Sequence, residues 1–317
     1  MVWSDVFGTN AKHITRAEAM TLPPVVKGRA ILCGQISPIP LIALDERGPL
    51  PDQPAWLQRT DGALSPLHRM LWTIDDLIFC GWSLWSVTRE GAVDAGAILS
   101  AARIPVEWWT FDNDGTIILD DGTGPVPAQS HEVILIPGPA EGLLEYGTRS
   151  IRGAVLLEDA WVKRAKSPIP LVELHETMDG ALQEHEVVQL IQDFVSARDD
   201  ENGMVSFTPF NITMIAHGEA APQLAIEGRN FVKVDVANFL NLPASALDGS
   251  LSTASLTYST QEGSRNEIAD YSLAYWSDPV AARFSQDDVT APGTRIRFDF
   301  AQIRTLTPAA TGPTTKD

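Results

Sequence analysis

Residues 65–89 read SPLHRMLWTIDDLIFCGWSLWSVTR, and this stretch decides the class of fold. Ser65 is an N-cap residue followed by Pro66 at the first helical position. Leu67, Met70, Leu71, Ile74, Leu77 and Ile78 then recur at helical spacing. Gly81 ends the helix, and Trp82 to Arg89 has the aromatic and β-branched content of a strand. A helix handing over to a strand through one glycine predicts a mixed α+β chain.

The pattern extends in both directions. Upstream, residues to about Pro24 are polar and unpatterned, and Val25 to Ile36 is one apolar stretch ended by Pro38 and Pro40, expected at the periphery. Prolines 49, 51 and 54 and Gly62 predict a loop between Leu41 and Pro66, with at most a short strand at Pro40 to Leu44. Downstream, Val106 to Phe111 and Thr116 to Leu119 flank Asp112-Asn113-Asp114-Gly115 as a hairpin, and His131 to Ile136 is a further strand. Glu141 to Lys166 is proline-free and apolar at helical spacing, with Glu141 and Glu145 at its start and Lys163, Arg164 and Lys166 at its end, the favourable order for the helix dipole. A helix of about 25 residues would reach about 38 Å.

Strand signals at Ile169 to Leu174, Val205 to Phe207 and Ile212 to Ile215 enclose a helix at Glu184 to Arg198, with Val187, Val188, Ile191, Phe194 and Val195 on one face. A second helix at Ala225 to Leu240 stops at Asn241-Leu242-Pro243. The Ser/Thr-rich stretch Ala244 to Thr260 predicts a mobile loop. Helix returns over Gln261 to Phe284, with Ile268, Tyr271, Tyr275 and Trp276 on one face and a kink or break at Pro279. Arg295 to Ile303 alternates as a half-buried strand, and residues after Thr307 are expected to be a disordered tail.

Composition narrows the function. Lys and Arg number 23 and Asp and Glu 41, a net charge of 23 − 41 = −18, so counterion release on DNA cannot drive tight binding. The two cysteines, Cys33 and Cys80, sit among apolar residues, which excludes a disulfide scaffold and favours a cytosolic origin. Met1 to Asp5 lacks a signal-peptide start, and no run approaches the roughly 18 apolar residues of a membrane span. His175-Glu176 and Glu184-His185-Glu186 are the close His and carboxylate groupings. Their spacing is wrong for the two-histidine helical zinc motif, and a solvated helix start explains them. A phosphate-cradling glycine loop and a Gly-x-Ser-x-Gly elbow are both missing, so neither nucleotide hydrolysis nor nucleophilic catalysis has support, and no catalytic residue, cofactor or metal is assigned. The 9 Trp residues, Trp82, Trp85, Trp108 and Trp109 among them, are expected to pack in the core or at interfaces.

Several blocks resemble the portal proteins of long-tailed bacteriophages of the HK97 type. Pro54-Ala55-Trp56-Leu57, the helix opened by Ser65-Pro66, and Phe79-Cys80-Gly81-Trp82-Ser83-Leu84-Trp85 match the family's leucine-rich helix, glycine and aromatic strand. Phe231 to Leu240 followed by Asn241-Leu242-Pro243-Ala244-Ser245-Ala246-Leu247-Asp248-Gly249 is similar to its helix and following turn. Tyr258-Ser259-Thr260-Gln261-Glu262 resembles the opening of the next long helix, and Arg295 to Phe300 its closing strand.

The resemblance covers roughly Val25 to Leu306 and implies an α+β, ring-forming portal fold. Its parts would be a wing at 1–140, stem helices at 141–166 and 225–240, a clip at 167–224 and a tunnel loop at 241–260. A long helix and wing strand at 261–306 with a minimal crown, and the tail 307–317, complete it. The implied function is structural: a homo-oligomeric ring of about twelve copies, closed by head-to-tail contacts, that conducts double-stranded DNA non-specifically during packaging and ejection. The implied partners are the terminase large subunit, the major capsid protein and a head-tail adaptor, at the portal vertex of a virion assembled in the bacterial cytoplasm. Candidate channel residues are Lys163, Arg164, Lys166, Arg229 and Lys233 on the stem, and Leu251, Ser252, Thr253, Ser255, Thr257 and Tyr258 in the loop. Two other readings are a hydrolase using His185 with Glu184 or Glu186, and a phage oligomeric scaffold protein without a DNA channel.

Overall fold

The structure is a computed structural model that describes residues 14–60, 62–92, 96–166, 171–177, 183–198, 212–217, 224–247 and 268–300. The chain divides into two compact units, one of Met1–Leu156 with Arg229–Asp317 and one of Leu157–Gly228.

In the first unit, helix α4 (Pro66–Cys80) is built as its sequence dictates. The Ser65 hydroxyl accepts the His68 amide, and Gly81 takes φ 78° to end the helix. A Cβ on Gly81 would lie 2.7–2.9 Å from backbone atoms of Ala140, Glu141 and Gly142, so only glycine fits. Strand β3 (Trp82–Arg89) follows at once and pairs antiparallel with β4 (Ile98–Ile104) and β8 (Val133–Pro137). Strand β4 carries no alternation in its sequence, Ile-Leu-Ser-Ala-Ala-Arg-Ile, and is an element the sequence reading lacks. Trp85 is fully buried, its indole N–H on Thr73 Oγ1 at 2.8 Å, its ring packed against Trp56 and Phe284.

Residues 25–36 are not peripheral. They form most of α2 (Pro23–Ile36), whose Val25, Leu32, Cys33 and Ile36 are buried. Gly28 weakens the helical signal in the sequence; it lies close to the side chain of Leu240, whose Cδ1 would be 2.3 Å from a Cβ there and would have to move aside. A short helix α1 (Arg16–Ala19) precedes it, with a capping box between Thr15 and Glu18 where the sequence looked unpatterned. Strand β1 (Leu41–Asp45) pairs with β2 (Gly48–Pro49) on one side and with β11 (Arg295–Phe298) on the other, in the register Leu41↔Phe298. Between them the expected loop contains one turn of helix, α3 (Ala55–Gln58), burying Trp56 and Leu57.

The hairpin around residues 112–115 is β5 (Trp109–Phe111) and β6 (Ile117–Leu119), with Gly115 at φ 80°. A 3-10 turn occupies Val106–Trp108, and β7 (Val126–Pro127) adds to β6. The single helix expected from Glu141 is two, α5 (Leu143–Tyr146) and α6 (Thr148–Lys166), interrupted at Gly147. The second unit contains β9 (Leu171–Glu176) paired antiparallel with β10 (Ile212–His217), and α7 (Glu184–Arg198). The strand expected at Val205 to Phe207 lies outside the described residues.

Helix α8 (Leu224–Phe239) is followed by α9 (Ala244–Leu247), so the first four residues of the expected loop are helical, with Leu247 buried. A π-helical stretch (Ile268–Leu273) leads into α10 (Ala274–Phe284), which runs through Pro279 without a break. Leu273, Trp276, Val280 and Phe284 form its buried face. Tyr271 and Tyr275, expected beside Trp276, are exposed; Tyr275 directly precedes Trp276 in one helix and so points about 100° away from it.

Candidate functional site

No group of His, Cys, Asp and Glu among the described residues could hold a metal ion. His185 is exposed on the first turn of α7, and Glu186 Oε2 accepts the Gln183 amide at 2.9 Å, a helix cap rather than an acid/base pair. His175 Nδ1 lies 3.5 Å from Glu173, both well exposed. Cys33 and Cys80 are free thiols whose pKa is pushed up to about 12 by burial, which makes them inert packing residues. The described helices include none long and apolar enough to cross a membrane.

The helical region named by the sequence has a more defined geometry. At its base, in the first unit, the Tyr146 hydroxyl donates to Phe239 O at 2.8 Å and the two rings meet at 5.4 Å. Burial raises this phenol to about 12, so it stays a donor. Trp276 Nε1 donates to Leu240 O at 2.9 Å. Helix α8 then ends in a Schellman motif: Asn241 adopts φ 52°, its amide bonds Asn238 O, and the Leu242 amide bonds Ala237 O at 2.9 Å. The Asn241 side chain reaches Tyr271 O at 3.3 Å, tying the exit of α8 to the π-helical stretch. In the second unit α6 and α8 approach closely, since a Cβ on Gly228 would lie 2.8 Å from Leu157 Cδ2.

Of the predicted channel residues, Lys163 is exposed on α6. Arg164 and Lys166 lie on the same helix, with side chains outside the described set. Arg229 and Lys233 are half-buried one turn apart on α8, and Lys233 Nζ donates to Asn230 Oδ1 at 3.1 Å. Glu227 and Asp235 share that helix, so α8 is charge-mixed. Helix α6 is not: Arg149, Arg152, Lys163, Arg164 and Lys166 stand against Glu158 and Asp159, a balance of 5 − 2 = +3 within an acidic chain. Arg149 and Arg152 stand in the first turns of α6, where the dipole argument expects acids. Residues 251–258 of the expected loop, with Leu251, Ser252, Thr253, Ser255, Thr257 and Tyr258, lie outside the described residues.

Apolar side chains are unevenly shared between the units. In the second, Trp161, Val162, Val187, Val188, Ile191, Met214, Ile215 and Ile226 are all exposed, and Ile212 is its one buried apolar residue among those described. Of the face of α7 predicted from its spacing, Val187, Val188 and Ile191 are exposed in the single chain, Phe194 is half-buried and the Val195 side chain lies outside those described.

Among solved structures, the chain is similar over 93% of its length and 98% of the other's to the crystal structure of an HK97 family phage portal protein from Corynebacterium diphtheriae, with 28% identity and a TM-score of 0.77. It also shares its fold with chains of the neck of an empty GTA particle computed with C6 symmetry (12% identity, TM-score 0.62, 93% and 88% of the chains). A neck of a native GTA particle computed with C12 symmetry matches as well (13%, 0.58, 92% and 84%), GTA standing for gene transfer agent. No protein-family model matches the sequence, and no curated protein does. The fold is thus that of a phage portal protein. Within that class the likeness is to the HK97 type of phage portal, as the blocks around Gly81 and Asn241 indicated.

Proposed function

We propose that this chain is the subunit of a portal ring of about twelve copies, set at one vertex of a phage-type virion and assembled in the bacterial cytoplasm. The observation that carries the reading is the 28% identity to an HK97 family portal over 98% of that chain. The exposed apolar side chains of α7, β10 and α6 support it, because such groups are covered when neighbouring copies associate. The necks that share the fold were computed with C6 and C12 symmetry, which suits a ring.

In this reading residues 1–140 are the wing, α6 and α8 the stem, 167–224 the clip and 241–260 the tunnel loop. The stem and loop face a bore through which double-stranded DNA passes without sequence contacts. The overall charge of −18 keeps phosphate from sticking, while Lys163, Arg164, Lys166, Arg229 and Lys233 make transient contacts. Terminase, adaptor and major capsid protein dock on the outside, and the motor's energy comes from the terminase. Negative-stain electron microscopy with mass measurement of the purified chain tests this. Rings with a through-hole wide enough for duplex DNA are expected; a stable monomer, or an oligomer without a hole, overturns it.

A further inference from the structure

Between Ile104 and Thr148 the chain carries eight Asp and Glu and no Lys or Arg, so 8 of the 18 net negative charges fall in this one stretch; the remainder balances at 23 − 33 = −10. The sheet β5–β6–β7 lies in it. Its register, Trp109↔Leu119, Phe111↔Ile117 and Leu119↔Val126, puts Trp109, Phe111, Ile117, Leu119 and Val126 on one face. None of these five is buried, and Trp108 beside them is 49% exposed. Trp82 of β3 packs against Phe111 at 5.8 Å in a T-shaped contact; Trp109, Phe111, Ile117 and Leu119 are half-buried and Val126 is exposed. The turns at its ends are rigid: Asp112 Oδ1 accepts the amides of Asp114 and Thr116, Asp120 that of Gly122 and Asp121 that of Thr123. Glu107 acts on the Arg103 guanidinium, while ion pairs engage none of Asp114, Asp120, Asp121 and Glu132 among the described residues.

We propose that this sheet is a docking surface for a segment of another protein in which Lys or Arg alternates with apolar residues. The apolar face supplies burial, Trp108 and Trp82 offer rings for a cation, and the fixed carboxylates select positive charge. Nucleic acid and anionic lipid are repelled by the same carboxylates, and a second copy of this sheet would bring Asp112, Asp114, Asp120 and Asp121 of its turns against the same four. The inference does not rest on the ring, since the sheet belongs to a different unit from α7 and β10.

The test is binding of a short alternating Lys-Leu peptide to the full chain, by titration calorimetry and by hydrogen-exchange protection of residues 104–128. E107Q/D114N/D120N/D121N, which keeps the turn hydrogen bonds, and W108S/V126S are each expected to weaken binding at least tenfold. E46Q/D52N/D278N/D287N, which removes as many exposed carboxylates elsewhere, should change it less than twofold, with thermal melts confirming folded variants. Equal weakening by that control set, no binding to the wild type, or protection outside 104–128 overturns the proposal. So does a W108S/V126S variant with unchanged peptide affinity and an altered association state, which would make the face a contact between copies.

Discussion

The two units of this chain solve the burial problem in opposite ways. In the first, side chains of every chemistry are sealed inside. Arg69 is 2% exposed without a carboxylate partner, its guanidinium donating to the carbonyls of Trp56, Leu57 and Ala101 and stacking on Trp85 at 4.3 Å. Burial lowers its pKa to about 10, still far above neutrality, so it stays a cation serving as a hydrogen-bond hub. Asp75 and Asp76 are buried too, the first pinned by Arg16 and Arg29 and the second by Arg103 and Ser83, with all three arginines over the Trp72 ring. Among the described residues of the second unit, most Ile and Val stay outside, Ile212 being buried. A region that spends its apolar residues on its surface is specified by association, whereas the first is specified by its own packing.

The largest expected break in this contrast is Trp85→Ala. Removing a ring packed on Trp56, Phe284 and Arg69 should cost about 3–5 kcal/mol, read as a lower urea midpoint of the dissociated chain. A loss under about 1 kcal/mol would mean that the first unit is not packed as described. A glycine pair sharpens the comparison at the next level. Gly81→Ala meets backbone at 2.7 Å in a positive-φ position, while Gly228→Ala meets only the end of the Leu157 side chain at 2.8 Å. The first should cost about 2 kcal/mol or more and the second under about 1 kcal/mol in the same assay, because a methyl can swing away and a peptide group cannot.

Asp76 gives a smaller, pH-dependent effect. Burial raises its pKa to about 6 although Arg103 and Ser83 favour the anion. The folded state therefore binds a proton that the unfolded chain, near 3.9, releases, and this contribution is full below about pH 4 and lost as pH rises through about 6. The melting-temperature difference between wild type and Asp76→Asn should shrink from pH 4 to pH 7; a constant difference would show the Asp76–Arg103 pair ionised throughout. Smallest of all in folding terms is V188D/I191D. At exposed positions it should shift the monomer's stability by less than about 0.5 kcal/mol yet abolish rings in electron micrographs. Rings that survive would move the subunit contact off α7.

Local chemistry made much of the fold legible. Ser65, Pro66 and Gly81 bounded α4 in the sequence to within two residues, and Glu184–Arg198 is found with the limits its spacing implied. What escaped was fixed by distant partners. Gly28 sits in a helix despite its poor propensity because the face of α2 that carries it is buried, and β4 is a strand because β3 binds it, not because Ile98 to Ile104 alternates. The apolar face of α7 could be counted off in the sequence, but the exposure of Val187, Val188 and Ile191 in the single chain depends on what the rest of the fold leaves uncovered. The charge on α6 was only half seen, since Arg149 and Arg152 stand at the end of the helix where the dipole argument expects acids.

The pairing of β1 with β11 has a bearing on synthesis. Leu41 finds Phe298 across 298 − 41 = 257 residues, a span that a ribosome covers in about 13–50 s at 5–20 residues per second. Throughout that interval β1 has β2 on one edge and nothing on the other. The whole of Leu157–Gly228, with its apolar helix face, emerges before the first unit can close. The nascent chain thus spends its longest wait offering an open strand edge and an uncovered helix together, so its yield in a cell is set by what shields those two surfaces rather than by the stability of the finished subunit.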